Sequence, residues 1–177
     1  GAHRMQKLIK DLLDFSRATR TTNQFKLVDL NQALDLAKQD LNKKIQETDA
    51  KIKSNALPEI NGDTSQLERL FLNLLANSLK YRHKDRRPEI NIEVKNNRDH
   101  WLIEFRDNGI GFNQTHAERV FLLFQRLHSH ADYPGTGIGL TICKKIVEHH
   151  GGEIWVKSEE GIGTSFFIKL PKDSVAL

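Results

Sequence analysis

Asn73, Asn77, Lys80 and Tyr81 fall at i, i+4 and i+7/i+8 along one helical stretch, so they share a face. Two asparagines there offer neutral carbonyl oxygens. A hard cation takes such ligands, and magnesium in particular is held through few protein groups plus the phosphates of a substrate. The ammonium of Lys80 suits a phosphate. Taken alone, this seam reads first as a polar face turned to solvent. Further on, Asp107 ends an otherwise apolar strand, and the chain turns at once through Asn108-Gly109. A carboxylate so placed can accept from an exocyclic amine such as that of adenine; it can also simply cap its own turn. Five of the eleven glycines crowd into two short loops, Gly109 and Gly111, then Gly135, Gly137 and Gly139. Glycine lets a backbone approach its neighbour closely. The second loop opens directly into a helix, which aims free N–H groups and the positive dipole end at the loop, a setting suited to phosphate.

Other nucleotide folds are excluded by pattern. There is no GxxxxGK[ST] loop. The second loop is GxGxG rather than GxGxxG, and a polar segment precedes it instead of a strand, against a dinucleotide fold. The HRD, DFG and VAIK set of protein kinases is absent. The single cysteine, Cys143, rules out an internal disulfide and a CxxC site; it reads as packed rather than reactive. No HExxH or Cys/His spacing supports zinc. His149 and His150 end a helix, where positive charge is favourable, and His128 and His130 lie in a polar segment. The run 80–87 carries five Lys/Arg residues and one acid. It reads as a solvated basic turn, with a phosphate or an acidic partner as the other reading.

The elements that must position these groups follow from periodicity. Residues 2–20 form an amphipathic helix whose apolar stripe (Met5, Leu8, Ile9, Leu12, Leu13, Phe15) is too broad for a lone solvent helix. It wants a partner helix, or packs on its own domain. After a linker at 21–24, residues 25–30 alternate as a strand. Asp29 or Asn31 caps a helix running to about residue 48. A second short strand spans 50–53, and 58–62 is a turn-like return. Asp63 caps a helix over 64–82 with Leu67, Leu70, Phe71, Leu74 and Leu75 on its apolar face. Two strands at 90–94 and 102–105 follow. A short helix is expected near 117–124, a helix over 138–150, and a closing hairpin over 153–158 and 164–170. Segregated strands and helices argue an α+β fold, a mixed β-sheet packed on about three helices in two layers, preceded by one long amphipathic helix. Of the 177 residues, 38% are hydrophobic and 28% charged, as in a soluble globular domain. No apolar run approaches the roughly 18 residues of a membrane span, and no signal-peptide core opens the chain. A net charge of +4 is too weak to argue nucleic acid.

The combination is more specific than its parts. An Asn/Lys helix, an Asp-x-Gly-x-Gly turn, a Phe-x-x-Phe segment (Phe121, Phe124) and a Gly-x-Gly-x-Gly loop occur in that order. The chain resembles the ATP-binding domain of sensor histidine kinases, within the superfamily of type II topoisomerases, mismatch-repair ATPases and large heat-shock chaperones. Residues 74–81 look like its N box, 107–112 its G1 box, 121–126 its F box and 135–140 its G2 box. The stretches 124–128 and 133–140 are similar to kinases of the phytochrome and PAS-linked type. Residues 4–17 resemble the second helix of the dimerisation and phosphotransfer hairpin. The chain thus divides into a partial hairpin at 1–22 and a catalytic domain at 23–177.

The resemblance implies roles. Asn77 would ligate Mg²⁺ bridging the ATP phosphates, with Asn73 in support; Lys80 would contact phosphate and Tyr81 pack on the nucleotide. Asp107 would accept from the adenine amino group, with Thr164 assisting through water. Gly109 and Gly111 would let the backbone pass the base, and Gly135, Gly137 and Gly139 would present N–H groups to the phosphates. Phe112, Thr136 and Leu140 belong to the same boxes and count with the nucleotide-contacting set. Residues 113–134 would form a lid anchored by Phe121 and Phe124, and Arg126 would contact phosphate or a neighbouring domain. The implied reaction moves the γ-phosphoryl group of ATP to a histidine, for relay to the receiver domain of a response regulator. The parent kinase would be a homodimer through its hairpin helices. The acceptor histidine belongs to the first hairpin helix, which has no counterpart in this chain. The fragment is therefore expected to bind Mg-ATP without phosphorylating itself, in the cytoplasm, without membrane or nucleic-acid contact. The other readings are a serine kinase of the same fold and a non-catalytic interaction module.

Overall fold

The computed structural model describes residues 2–19, 25–122 and 138–173. Its centre is α4 (Thr64–Lys80), whose stripe Leu67, Leu70, Phe71, Leu74, Leu75 and Leu79 is entirely buried. The 3.6-residue period explains this: one face is continuously apolar, and each such side chain contributes about 1.5–3 kcal/mol by leaving water. Asp63 caps the helix, accepting from the Gln66 N–H.

That stripe lies on a five-stranded sheet ordered β2 (Lys51–Ser54), β4 (Glu89–Asn96), β5 (His100–Asp107), β7 (Gly163–Pro171), β6 (Glu153–Glu159). Only β2–β4 is parallel, so the sheet is mixed. Alternation sends Ile90, Ile92, Ile103, Phe105, Phe166, Ile168 and Leu170 inward. Phe71 meets Phe105 edge-on at 5.2 Å. On the outer face Trp155 stacks on Phe167, and Arg106 reaches Glu93 at 3.3 Å. Helices α2 (Leu30–Asp40) and α5 (Gly139–His149) flank α4, completing the two-layer α+β arrangement read from the pattern.

Four segments depart from expectation. Residues 58–62 are not a turn: Glu59–Gly62 is a strand, β3, antiparallel to β1 (Lys26–Asp29) in a separate two-stranded sheet. The helix expected to continue to residue 48 breaks at Leu41, giving α2 and α3 (Asn42–Thr48). Asp40 and Asn42 flank the break, and such side chains compete for backbone hydrogen bonds. The helix near 117–124 is replaced by two 3₁₀ turns, Gln114–His116 and Arg119–Phe121, with Leu122 already extended; so short a segment cannot repay α-helix nucleation. Finally, α4 stops at Lys80, because Tyr81 turns its carbonyl to the Ile110 N–H.

The N-terminal helix α1 (Ala2–Thr19) packs against α5, with Leu8 and Phe15 joining the core. Its other side leaves Met5, Ile9, Leu12 and Leu13 exposed. Among the described residues no helix is long and apolar enough to cross a membrane.

His150 corrects the reading of a charged helix end. Its ring is fully buried, Nδ1–H donates to the Ile146 carbonyl at 2.7 Å, and Nε2 accepts from the Asp63 N–H at 3.0 Å. Phe25 stacks on it at 4.8 Å. Accepting from an N–H requires the neutral ring. Burial lowers its pKa, aided by His149 and opposed by the Ile146 hydrogen bond and Asp63. A base depressed in the fold gives stability that is present above its unfolded pKa, near 6.5, and lost as pH falls below it. Thermal midpoints are therefore expected to drop from pH 7.5 to 5.5, and His150→Gln to flatten that slope. An unchanged slope in the variant would place the acid sensitivity elsewhere.

Candidate functional site

The site grows from the end of β5. Oδ1 of Asp107 accepts from the Gly109 N–H at 2.9 Å and the Thr164 N–H at 3.2 Å, while the nearby Ser78 hydroxyl donates to the Leu74 carbonyl at 3.3 Å. A carboxylate has about four acceptor positions, so acceptor capacity remains. Burial raises the pKa of Asp107 above its ordinary value, against the hydrogen bonds from Gly109 and Thr164 and the nearby Ser78 hydroxyl. A half-buried carboxylate with unused acceptor capacity suits a ligand that donates.

The turn after Asp107 is threaded between two other segments. A Cβ on Gly109 would lie 2.4 Å from the Tyr81 carbonyl oxygen. Gly111 sits at φ +63, and a Cβ there would lie 2.0 Å from the Glu159 oxygen. The protein's own backbone thus demands both glycines, whatever passes beside them. The Phe112 N–H donates to Ser158 Oγ, which also meets Thr164 Oγ1 at 2.8 Å; Thr164 is buried. The Phe112 side chain is partly buried against the core.

Asn73, Asn77, Lys80 and Tyr81 line one half-buried side of α4 and its end, not a solvent face. The Asn73 amide donates to the Gly139 carbonyl at 3.3 Å, tying α4 to the start of α5. Lys80 Nζ lies 5.0 Å from the centroid of the Tyr81 ring. Ile138 caps α5 with no side-chain hydrogen bond, so no side chain of that residue occupies the first-turn N–H groups. A Cβ on Gly139 would meet nothing within 4 Å among the described residues. Leu140 packs against the core. Cys143 is fully buried and burial pushes its thiol up to about 12, which leaves it unreactive. Phe124, Arg126, Gly135, Thr136 and Gly137 lie outside the described residues.

Between the turn and the undescribed segment, the Gln114 amide bridges the edge of β6, donating to the Val156 carbonyl and accepting from the Ser158 N–H. Phe121 is buried edge-on to Phe166, and its carbonyl accepts from the Thr141 hydroxyl. Sequence reasoning missed Ser78, Ser158 and Gln114. Ser78 alone carried a signal, since it follows Asn77 on the inner side of a well-defined helix.

A family profile described as "Histidine kinase-, DNA gyrase B-, and HSP90-like ATPase" matches residues 62–174. The chain belongs to this ATPase family. Cyanobacterial phytochrome A of Nostoc sp. (strain PCC 7120 / SAG 25.82 / UTEX 2576) is 43% identical over 97% of the chain, which spans 22% of that relative. The mycobacterial sensor histidine kinase MprB superposes with a TM-score of 0.73 at 25% identity, over 86% of this chain and 99% of that one. The histidine kinase ThkA, solved in complex with the response regulator TrrA, shares the fold with a TM-score of 0.73 at 19% identity, over 97% of this chain and 48% of that one. The family domain begins at β3 and contains Asp107, the face of α4 and the start of α5; α1 to α3 precede it.

Proposed function

We propose that this histidine-kinase-like ATPase domain binds Mg-ATP between Asp107, the half-buried face of α4 and the start of α5, and donates the γ-phosphoryl group to a histidine on the dimerisation hairpin of its kinase. The observation that carries the reading is Asp107: a half-buried carboxylate, fixed by two backbone N–H groups, with acceptor capacity left for the amine of adenine. The start of α5, where the Ile138 side chain makes no capping hydrogen bond, suits the phosphates. The described residues hold no cluster of three His, Cys, Asp or Glu side chains that could bind a metal. Asn77 is a neutral oxygen ligand, and that donor set fits a magnesium ion held chiefly by nucleotide phosphates. Bound ATP supplies the transferable phosphoryl group. What this chain supplies is position and charge neutralisation, on which phosphoryl transfer mainly depends.

Two further parts of the reading concern partners. Met5, Ile9, Leu12 and Leu13 stay exposed along α1, the kind of face that a helical bundle covers; this supports a homodimer through hairpin helices in a cytoplasmic kinase. The ThkA–TrrA complex supports a response-regulator receiver domain as the next carrier of the phosphoryl group. Roles for Gly135, Thr136 and Gly137 at the phosphates, and for Arg126, belong to the same proposal.

Calorimetric titration with ATP, with and without Mg²⁺, on wild type and Asn77→Ala tests it. Wild type is expected to bind more tightly with Mg²⁺ and Asn77→Ala to lose that dependence. Equal Mg²⁺ dependence in both proteins would remove Asn77 from the metal site, and no ATP binding by wild type would overturn the reading.

A further inference from the structure

Arg86 belongs to the basic run that reads from sequence as a solvated turn or a greeting for an acidic partner. It does neither. Its guanidinium donates to four backbone carbonyls: Nε to Asn108 at 2.8 Å, and Nη2 to Gly109 at 3.1 Å, Gly161 at 2.7 Å and Ile162 at 3.1 Å. Its neighbours are engaged as well, Arg82 on the Leu79 carbonyl and Arg87 on Asp49.

The four acceptors belong to two turns that are far apart in sequence. Asn108 and Gly109 form the turn after β5; Gly161 and Ile162 form the turn between β6 and β7. Those turns carry the two N–H groups that hold Asp107 Oδ1, from Gly109 and, two residues after Ile162, from Thr164. Gly161 also donates to the Ile110 carbonyl at 2.7 Å, closing the two turns onto each other. A planar guanidinium with five donors in a fixed fork can serve several carbonyls at once; an ammonium presents a single point of charge.

We propose that Arg86 is a positioning residue for base recognition: by clamping both turns it fixes the carboxylate of Asp107 in the orientation that selects an amine-bearing base. This rests on the reading of Asp107 as the adenine acceptor. Arg86 touches no nucleotide and acts only through the backbone.

The test compares Mg-ATP with Mg-ITP, whose base carries a carbonyl oxygen in place of the amine, on wild type, Arg86→Ala and Arg86→Lys. Wild type is expected to prefer ATP by about tenfold or more, the range of a hydrogen bond to a charged group. Arg86→Ala is expected to bring the preference to about twofold or less, through weaker ATP binding, with ITP affinity within about threefold of wild type. Arg86→Lys falls between and carries the same readouts should the alanine variant fold poorly. Amide exchange at Gly109 and Thr164, measured without nucleotide, is expected to quicken in both variants. If wild type discriminates and both variants keep its ratio, Arg86 is a structural clamp and the inference fails alone. If wild type itself shows no preference, the reading of Asp107 fails and takes this inference with it.

Discussion

Replacing Asp107 by asparagine is expected to separate nucleotide binding from stability. ATP affinity should fall about 10- to 100-fold, since a hydrogen bond to a charged group contributes about 1.5–3 kcal/mol. The thermal midpoint at pH 7 should hold or rise. The asparagine oxygen can still accept from the Gly109 and Thr164 N–H groups, so both turns stay in place. What changes is the rest of the group: an amide N–H₂ now faces a donor where a carboxylate oxygen stood. The stability side follows from the pKa. Burial raises it in the fold despite the hydrogen bonds from Gly109 and Thr164, so the folded chain binds this proton more tightly than the unfolded one. Such a group favours the fold fully below the ordinary carboxylate range, and that contribution is lost as pH rises through the folded value. At neutral pH the ionised carboxylate therefore weakens the protein, and the advantage of Asp107→Asn should shrink on acidification. Titration and melting curves at pH 7 and pH 4.5 check both halves. A variant that lost stability at neutral pH would mean that the carboxylate serves its own turn instead of a ligand.

The two glycine loops should respond in opposite ways to one added methyl group. Gly111→Ala places a Cβ 2.0 Å from the Glu159 oxygen at φ +63. The left-handed conformation alone costs on the order of 1–2 kcal/mol for a residue with a side chain, and two backbone segments must also separate. A total loss of about 3 kcal/mol or more lies among the rare severe substitutions. It would lower the midpoint of a chain this size by about 6–12 °C. Gly139→Ala meets nothing within 4 Å among the described residues and stands at the first residue of α5. Its stability should change by no more than about 1 kcal/mol, and loss of ATP affinity in that variant would then report contact with the ligand. Paired denaturation and ATP titration decide it. Tolerance of alanine at Gly111, or unfolding at Gly139, would contradict the packing described.

How far these residues could be read in advance depended on the range of their partners. The buried stripe of α4 and its Asp63 cap are local patterns, set by helical period and by a side chain reaching its own first turn. The alternation of β4, β5 and β7 is equally local. β3 was hidden because Glu59-Ile-Asn-Gly62 has turn-forming residues, and only pairing with β1 makes it a strand. His150 was misread because its partner, the Asp63 N–H, lies 87 residues away. The glycines of the first loop were legible as glycines that had to be there, but not for whom: the carbonyls that crowd them come from Tyr81 and Glu159. Arg86 was least legible, since its partners are four main-chain oxygens that any sequence would supply.

The hydrogen bond from Thr164 to Asp107 spans 57 residues, and it has a temporal meaning. The chain leaves the ribosome N-terminus first, and long-range strand pairing waits for both partners. A nascent chain that has exposed residues through Leu140 already presents every box of the family pattern. It still lacks β7, which supplies one of the two amides on Asp107 and pairs along the full length of β5. With Asp107 as the proposed base acceptor, base recognition is a late event in biogenesis, and the final hairpin is the step at which a collection of motifs becomes a receptor.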